Sequence, residues 1–201
     1  MFRKWFVYGM AALVLGCGAL TVRAEDPQVT AAEIAQWRAA AEKGDAEAQF
    51  NLGKCYIKGR GLPKDPEKAA FWFRKAAEQG YADAQFNLGV CYYNGDGVPK
   101  DLEKAVYWYR KAAEQGLKEA QFNLGGYYYN GWGVEPDKEK AVFWWRKAAE
   151  QGYAEAQNNL GVCYANGYGV PKDLEKAVFW WRKAAAQGDE DAKKALKRRG
   201  Y

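Results

Sequence analysis

One period governs this chain. Gln49, Gln85, Gln121 and Gln157 stand 36 residues apart, and the same step carries Leu52, Leu88, Leu124 and Leu160. It also carries Gly53, Gly89, Gly125 and Gly161, then Tyr56, Tyr92, Tyr128 and Tyr164, then Trp72, Trp108, Trp144 and Trp180, with no insertion. A fixed period of this order marks a stacked array, because a unit so small cannot bury its own apolar face and must lean on the next. Four full units follow, at 45–80, 81–116, 117–152 and 153–188.

Each unit reads as two helices. In the first, Ala48, Leu52 and Tyr56 recur at i, i+4 and i+8 with Cys55 beside them, making one apolar stripe. Gly59-Arg60-Gly61 stops it, since glycine supplies the left-handed conformation that closes a helix. Asp65 caps the second helix, which carries Ala69, Trp72, Phe73, Ala76 and Ala77 on one side and ends at Gly80. Gly53 and its equivalents fall inside the first helix, where glycine costs about 1 kcal/mol against alanine. Four repetitions of that cost imply close packing, expected here against the small Ala69 and Ala76 of the second helix.

The flanks of the array read as caps. Thr30-Ala31-Ala32-Glu33 is a capping box opening a lone helix within 25–44, with Ile34, Trp37 and Ala41 inward. Arg38 and Gly44 lie 36 before Arg74 and Gly80, so this is a second helix without its first. At the other end, within 189–201, Asp191 to Arg199 matches a first helix with Ala192, Ala195 and Leu196 inward and a basic tail. The expected fold is all-α, four αα-hairpins between two capping helices.

Residues 1–24 read as a secretory signal peptide. Arg3 and Lys4 precede an uncharged, mostly apolar run from Trp5 to Leu20, and Val22-Arg23-Ala24 offers a cleavage site before Glu25. The run is short for a spanning helix, which needs about 20 apolar residues, and it is broken by Gly9, Gly16 and Gly18. Cleavage after Ala24 is expected, giving a periplasmic or secreted protein with no transmembrane span. A lipoprotein at Cys17 is the second reading, since Val14-Leu15-Gly16-Cys17 loosely matches a lipobox. Cleavage removes Arg3, Lys4 and Arg23 from the 30 basic residues and no acid, so the net charge falls from +5 to about +2. Five of the remaining bases lie in the tail. No broad basic field remains to hold nucleic acid.

The chain has no histidine, no serine and only two threonines, Thr21 and Thr30. Histidine acid–base chemistry, Ser/His and Cys/His nucleophilic pairs and most zinc sites therefore lack their residues. No catalytic residue, metal or cofactor is expected.

The unit A-x-A-Q-F-N-L-G-x-x-Y-x-x-G-x-G-V-P-K-D-x-E-K-A-x-x-W-x-R-K-A-A-E-Q-G resembles the Sel-1-like repeat, a branch of the tetratricopeptide-like solenoids. The resemblance implies a right-handed αα superhelix, an α-solenoid whose first helices line the concave side. It also implies an interaction scaffold or adaptor without enzymatic activity; exported bacterial members serve in envelope complexes, exopolysaccharide machinery or contact with host proteins. A cysteine-rich branch pairs two cysteines within each repeat, and penicillin binding or hydrolysis is ascribed to it. Here Cys55, Cys91 and Cys163 occur once per repeat, with Tyr127 in the remaining place. Neighbouring first helices about 8–10 Å apart exceed the roughly 7 Å Cα limit for a disulfide, so these cysteines are expected to be small apolar core residues.

Differences between the copies point to a binding face. About 100° round from the leucine stripe, the first helices carry Phe50, Lys54 and Ile57; Phe86, Val90 and Tyr93; Phe122, Gly126 and Tyr129; and Asn158, Val162 and Ala165. If this face lines the groove, Phe50, Phe86, Val90, Tyr93, Phe122 and Tyr129 form a site for a peptide or protein partner; alternatively Phe50, Phe86 and Phe122 pack between repeats. Asn94, Asn130 and Asn166 are polar contacts in the same groove or C-terminal caps. A second face carries Phe71, Tyr107, Phe143 and Phe179 among charged neighbours, either an aromatic ladder for an envelope polysaccharide or rings covered by lysine and arginine stems. Peptide or protein binding is the leading reading, polysaccharide binding the alternative, and penicillin hydrolysis a distant third.

Overall fold

The computed structural model describes residues 29–201, and these form helices joined by turns, with no strand among the described residues. The expected signal peptide, residues 1–24, and Cys17 lie outside them. The helices are α1 (Ala31–Glu42), α2 (Ala46–Lys58), α3 (Pro66–Glu78), α4 (Ala82–Asn94), α5 (Leu102–Glu114), α6 (Lys118–Asn130), α7 (Lys138–Glu150), α8 (Ala154–Asn166), α9 (Leu174–Ala186) and α10 (Glu190–Lys197). Each packs chiefly on the helix before it and the helix after it in the chain, which makes the fold an α-solenoid of stacked hairpins. The capping box at Thr30 is present in both directions, with Glu33 N donating to Thr30 Oγ1 and Thr30 N donating to Glu33 Oε2. The final helix starts slightly earlier than expected, capped by Asp189, and buries Ala192 while Ala195 and Leu196 stay half-buried.

The caps follow the sequence. Asp65, Asp101, Asp137 and Asp173 each accept a hydrogen bond from the backbone N–H three residues on, at 2.9 Å, opening α3, α5, α7 and α9. The same lysines return their ammonium to the caps, and these bonds hold all four carboxyls below the usual aspartate range. At the other end of the hairpin turn, the first helices close on Gly59, Gly95, Gly131 and Gly167 in the left-handed conformation.

The mid-helix glycines do mark close packing, but their partners differ from the expected alanines. A Cβ on Gly53 would lie 2.5 Å from the Phe73 ring, and one on Gly89 2.8 Å from Tyr109. At Gly125 and Gly161 the rings are Trp145 and Trp181, at 2.5 and 2.6 Å. Each glycine is therefore the floor on which the large buried aromatic of its own second helix rests. Ala69 and Ala76 are fully buried too, yet the aromatic sets the approach.

The four glutamines are the buried amide side chains of the described core, and each is bonded at both ends of its amide. Gln85 Nε2 donates to Ala77 O at 3.1 Å, across to the preceding repeat, while its Oε1 accepts from Gln115 Nε2 at 2.8 Å. Gln49, Gln121 and Gln157 repeat the arrangement. A second tie crosses each junction: Arg74, Arg110 and Arg146 donate to the hydroxyls of Tyr92, Tyr128 and Tyr164 in the next repeat. The periodic residues are thus mostly the fastenings of the stack.

Candidate functional site: the exposed stripe of the first helices

The proposed groove residues divide into two groups. Phe50 and Phe122 are buried, at 9% and 3% exposure. Phe50 packs on Phe73 and on Tyr81 of the next repeat, with centroids 5.9 and 5.2 Å away, and Phe122 packs on Tyr153, 5.1 Å away. They are inter-repeat core, which removes them from a binding face. Phe86 is half-buried against Tyr109. Val90, Tyr93 and Tyr129 are half-buried and remain reachable from solvent. The physical reason is angular: Phe50 and its equivalents sit on the edge of the stripe that turns towards the following repeat.

The turns after α6 and α8 add one aromatic each to this stripe, where the first two repeats have Arg60 and Asp96. Trp132 meets Tyr127 edge-on at 5.7 Å, and Tyr168 meets Tyr129 of the preceding repeat at 6.1 Å. Lysines sit over the same rings, with Lys100 Nζ 5.2 Å from the centroid of Tyr93 and Lys138 Nζ 4.8 Å from that of Tyr168. Burial pushes the Tyr129 hydroxyl up to about 12, so it stays protonated and able to donate. Asn130 and Asn166 turn their amides back to the carbonyls of Gly126 and Val162, and Asn94 bonds Asp96, so their C-terminal amides serve the helix ends.

A second asparagine row escaped the sequence reading. Asn51, Asn87, Asn123 and Asn159 recur every 36 residues, half-buried along the exposed side of α2, α4, α6 and α8. Their period was visible, but a polar residue beside a core leucine looks like any solvent-facing position. Amide side chains at a fixed rise along a groove can donate to and accept from a main chain lying across them.

The opposite face carries four aromatic rings about half exposed, Phe71, Tyr107, Phe143 and Phe179. Each stands edge-on to the neighbouring tryptophan at 5.0–5.1 Å and lies beneath a lysine ammonium 4.7–5.8 Å from its centroid. The lysine stems account for part of this row without any ligand.

The described cysteines lie in the core, away from these faces. Cys55, Cys91 and Cys163 are free and buried, and burial pushes the thiols of Cys91 and Cys163 up to about 12. A thiol in that state is a small apolar side chain and not a nucleophile at neutral pH. Among the described residues no cluster of carboxylates and thiols is placed to hold a metal ion, and no helix is long and apolar enough to cross a membrane.

Stacked αα-hairpins fastened by periodic glutamines define a repeat-scaffold class of protein. The Sel1 repeat signature matches residues 46–81, 82–117, 118–153 and 154–189, one residue later than the register given above. The chain belongs to the Sel1 repeat family. Among solved structures it is similar to c5321, a protective antigen present in uropathogenic Escherichia coli strains displaying an SLR fold, at 47% identity and a TM-score of 0.77. That match covers 79% of this chain and 34% of the antigen. A Sel1 repeat protein from Oxalobacter formigenes is 40% identical with a TM-score of 0.77, over 83% of this chain and 48% of the other. This chain therefore spans a third to a half of those two proteins. Cysteine rich protein B (hcpB) of Helicobacter pylori is 29% identical with a TM-score of 0.53, over 66% of this chain and 96% of that one. No curated protein sequence matches.

Proposed function

We propose that this protein is an exported adaptor that holds an extended peptide segment of a protein partner along the stripe formed by α2, α4, α6 and α8. The observation that carries the reading is that the asparagine row and Val90, Tyr93, Tyr129, Trp132 and Tyr168 are all half-buried, on the part of the first helices and their turns that the leucine core leaves uncovered. Periodic amides suit a periodic main chain, and tyrosine and tryptophan are the side chains that anchor interfaces at small entropic cost. As Sel1 repeat proteins are interaction scaffolds in general, the stripe supplies a place for that role.

The test is a paired substitution. Tyr93→Ala with Tyr129→Ala should weaken binding of a partner peptide by about 1 kcal/mol or more per anchor, measured by calorimetry. Tyr107→Ala with Phe143→Ala, on the opposite face, should leave it unchanged. The reverse pattern would favour the second reading, an envelope polysaccharide laid along Phe71, Tyr107, Phe143 and Phe179, which rests on their shared half-exposure. That reading is checked by retardation of the protein in gels cast with soluble polysaccharide.

Export is part of the proposal. Residues 1–24 would be removed, and mass spectrometry of the protein from its native host should find Glu25 at the N-terminus; a lipid-modified Cys17 or an intact Met1 would refute soluble export. The adaptor is also expected to be catalytically silent. Purified protein should hydrolyse a chromogenic β-lactam no faster than an inert helical protein, because no nucleophile–base pair is formed by the described residues. Turnover that co-purifies with the chain and is lost on Cys91→Ala would overturn this.

A further inference from the structure

The four copies of the stripe are not chemically alike. At the place that is Lys54 in the first repeat, the later repeats carry Val90, Gly126 and Val162. Where the first has Lys58, they carry Asn94, Asn130 and Asn166. Each of these helices has 13 residues and closes on a left-handed glycine, so the fold does not ask for charge at either place. Terminal repeats of a solenoid need a polar outer face, yet the fourth repeat, at the other end of the stack, has Val162 and Asn166 there. The lysines of the first repeat are therefore explained neither by the helix nor by its position in the array.

Lys54 and Lys58 stand one turn apart on α2, share a side of it with Asn51, and are both exposed. Lys64 joins them from the turn, since its Cβ would lie 3.3 Å from a Cβ on Gly59 at the end of α2. Lys54 Nζ is held over the Phe50 ring, 4.8 Å from its centroid. None of the three forms an ion pair with a described residue, whereas Lys68, Lys104, Lys140 and Lys176 each pair with a cap aspartate. Glu33, whose carboxylate acts on the Cys55 thiol together with Lys54 and Arg60, is engaged by Thr30 in the capping box. In the second and third repeats the turns mix signs, Lys100 with Asp96 and Lys138 with Glu135, and the helices offer Tyr93 and Tyr129; the fourth adds Lys172. Positive charge is thus concentrated at one end of the stripe and aromatic surface beyond it.

We propose that the stripe selects a segment with an acidic end: carboxylates lie on the first repeat against Lys54, Lys58 and Lys64, and an apolar residue lies over Tyr129 and Trp132. This rests on the peptide-groove reading above. Ammonium groups without counter-ions favour an anionic partner. A uniform polyanion, such as a nucleic acid or an acidic polysaccharide, would carry its charge onward over the second and third repeats. There it would meet Val90, Asn94, Gly126 and Asn130 in place of the lysines, and the acids Asp96 and Glu135. A polypeptide changes chemistry from residue to residue and can follow the gradient. Two helix spacings of about 8–10 Å separate α2 from α6, which sets roughly five or six extended residues of about 3.3 Å each between the acidic cluster and the apolar anchor.

Panning a phage-displayed random dodecapeptide library on the chain from Glu25 to Tyr201 provides the probe. Enriched peptides should carry acidic residues at one end and an apolar residue about five or six places away. Lys54→Val with Lys58→Asn installs the residues that the second repeat already bears, so the melting temperature should not change. The same double variant should bind the peptides about fivefold more weakly at low salt, as for two exposed ion pairs, and the difference should fade as salt is raised. Replacing the peptide's acids by their amides should cost the same factor in the unmodified protein and little further in the double variant. Tyr129→Ala should weaken the same peptides through their apolar end. Peptides that need Tyr93 and Tyr129 but show no acidic end and ignore the lysine changes sink the charge selection and leave the groove standing. Polyglutamate, single-stranded DNA or a scrambled peptide binding as tightly as the enriched ones shows a general anion patch and also sinks it. A melting temperature that falls with the lysines assigns them to the end of α2 and sinks it likewise. Peptides indifferent to Tyr93 and Tyr129, or no enrichment at all, remove the groove reading and the selection together.

Discussion

Gly97→Ala should lower the melting temperature of the protein by about 6–12 °C, corresponding to a loss of about 3 kcal/mol at roughly 2–4 °C per kcal/mol for a chain of this size. Gly97 holds φ at +69°, and a Cβ there would collide with the backbone of Pro66 and Glu67 at the start of the previous repeat's second helix. Backbone cannot rotate away as a flexible side chain can, so the junction between the first two repeats must open. Gly95→Ala is the control. It shares the left-handed conformation at φ +86°, but its nearest neighbour is the Lys100 Cβ at 3.5 Å, an ordinary contact. It should cost only the conformational penalty of about 1–2 kcal/mol. Equal losses for the two variants, measured by thermal melts, would show that close approach contributes nothing. Gly133 and Gly169 meet Leu102 and Lys138 in the same way, so the effect should recur at each junction.

The second large effect should come from Gln85→Leu, a change that adds apolar surface to a core position. Gln85 is 4% exposed and joins three helices, donating to Ala77 O of α3 and accepting from Gln115 at the end of α5. Leucine leaves the Gln115 amide with its bond to Gly80 O alone and leaves Ala77 O short of one donor. A buried group stripped of its partner costs about 1–3 kcal/mol, so denaturant melts should register a loss of about 2 kcal/mol. The companion Gln115→Leu should cost less in the presence of Gln85→Leu than alone, since the pair shares one bond. Additive losses would mean that the bridge between the two amides contributes no coupling.

Much of this architecture is legible in the residues because each element announces its own ends. Asp65, Asp101, Asp137 and Asp173 name the starts of the second helices, and Gly59 with its equivalents names the ends of the first. What the residues do not disclose is how one hairpin is rotated on the next. Phe50 and Phe122 share a helical face with Tyr93 and Tyr129 by spacing alone, yet the stagger of successive hairpins buries the phenylalanines at 9% and 3% exposure while leaving the tyrosines half open. The mid-helix glycines were readable as points of contact, but not their partners, because either a small alanine or a large ring can rest on a missing side chain. Tyr127 looks like a gap in a cysteine series; its packing on Tyr109, with centroids 5.3 Å apart, shows only in the structure.

The ties that cross each junction have a mechanical consequence. Every inner helix rests on the two beside it in sequence, and the glutamine and arginine–tyrosine bonds span one boundary at a time. Tension applied between the two ends would therefore load the boundaries in series, and the weakest would part while the rest kept their shape. Such a molecule lengthens in steps of one hairpin instead of rupturing at once, and a segment lying across two boundaries would act as a splint on both.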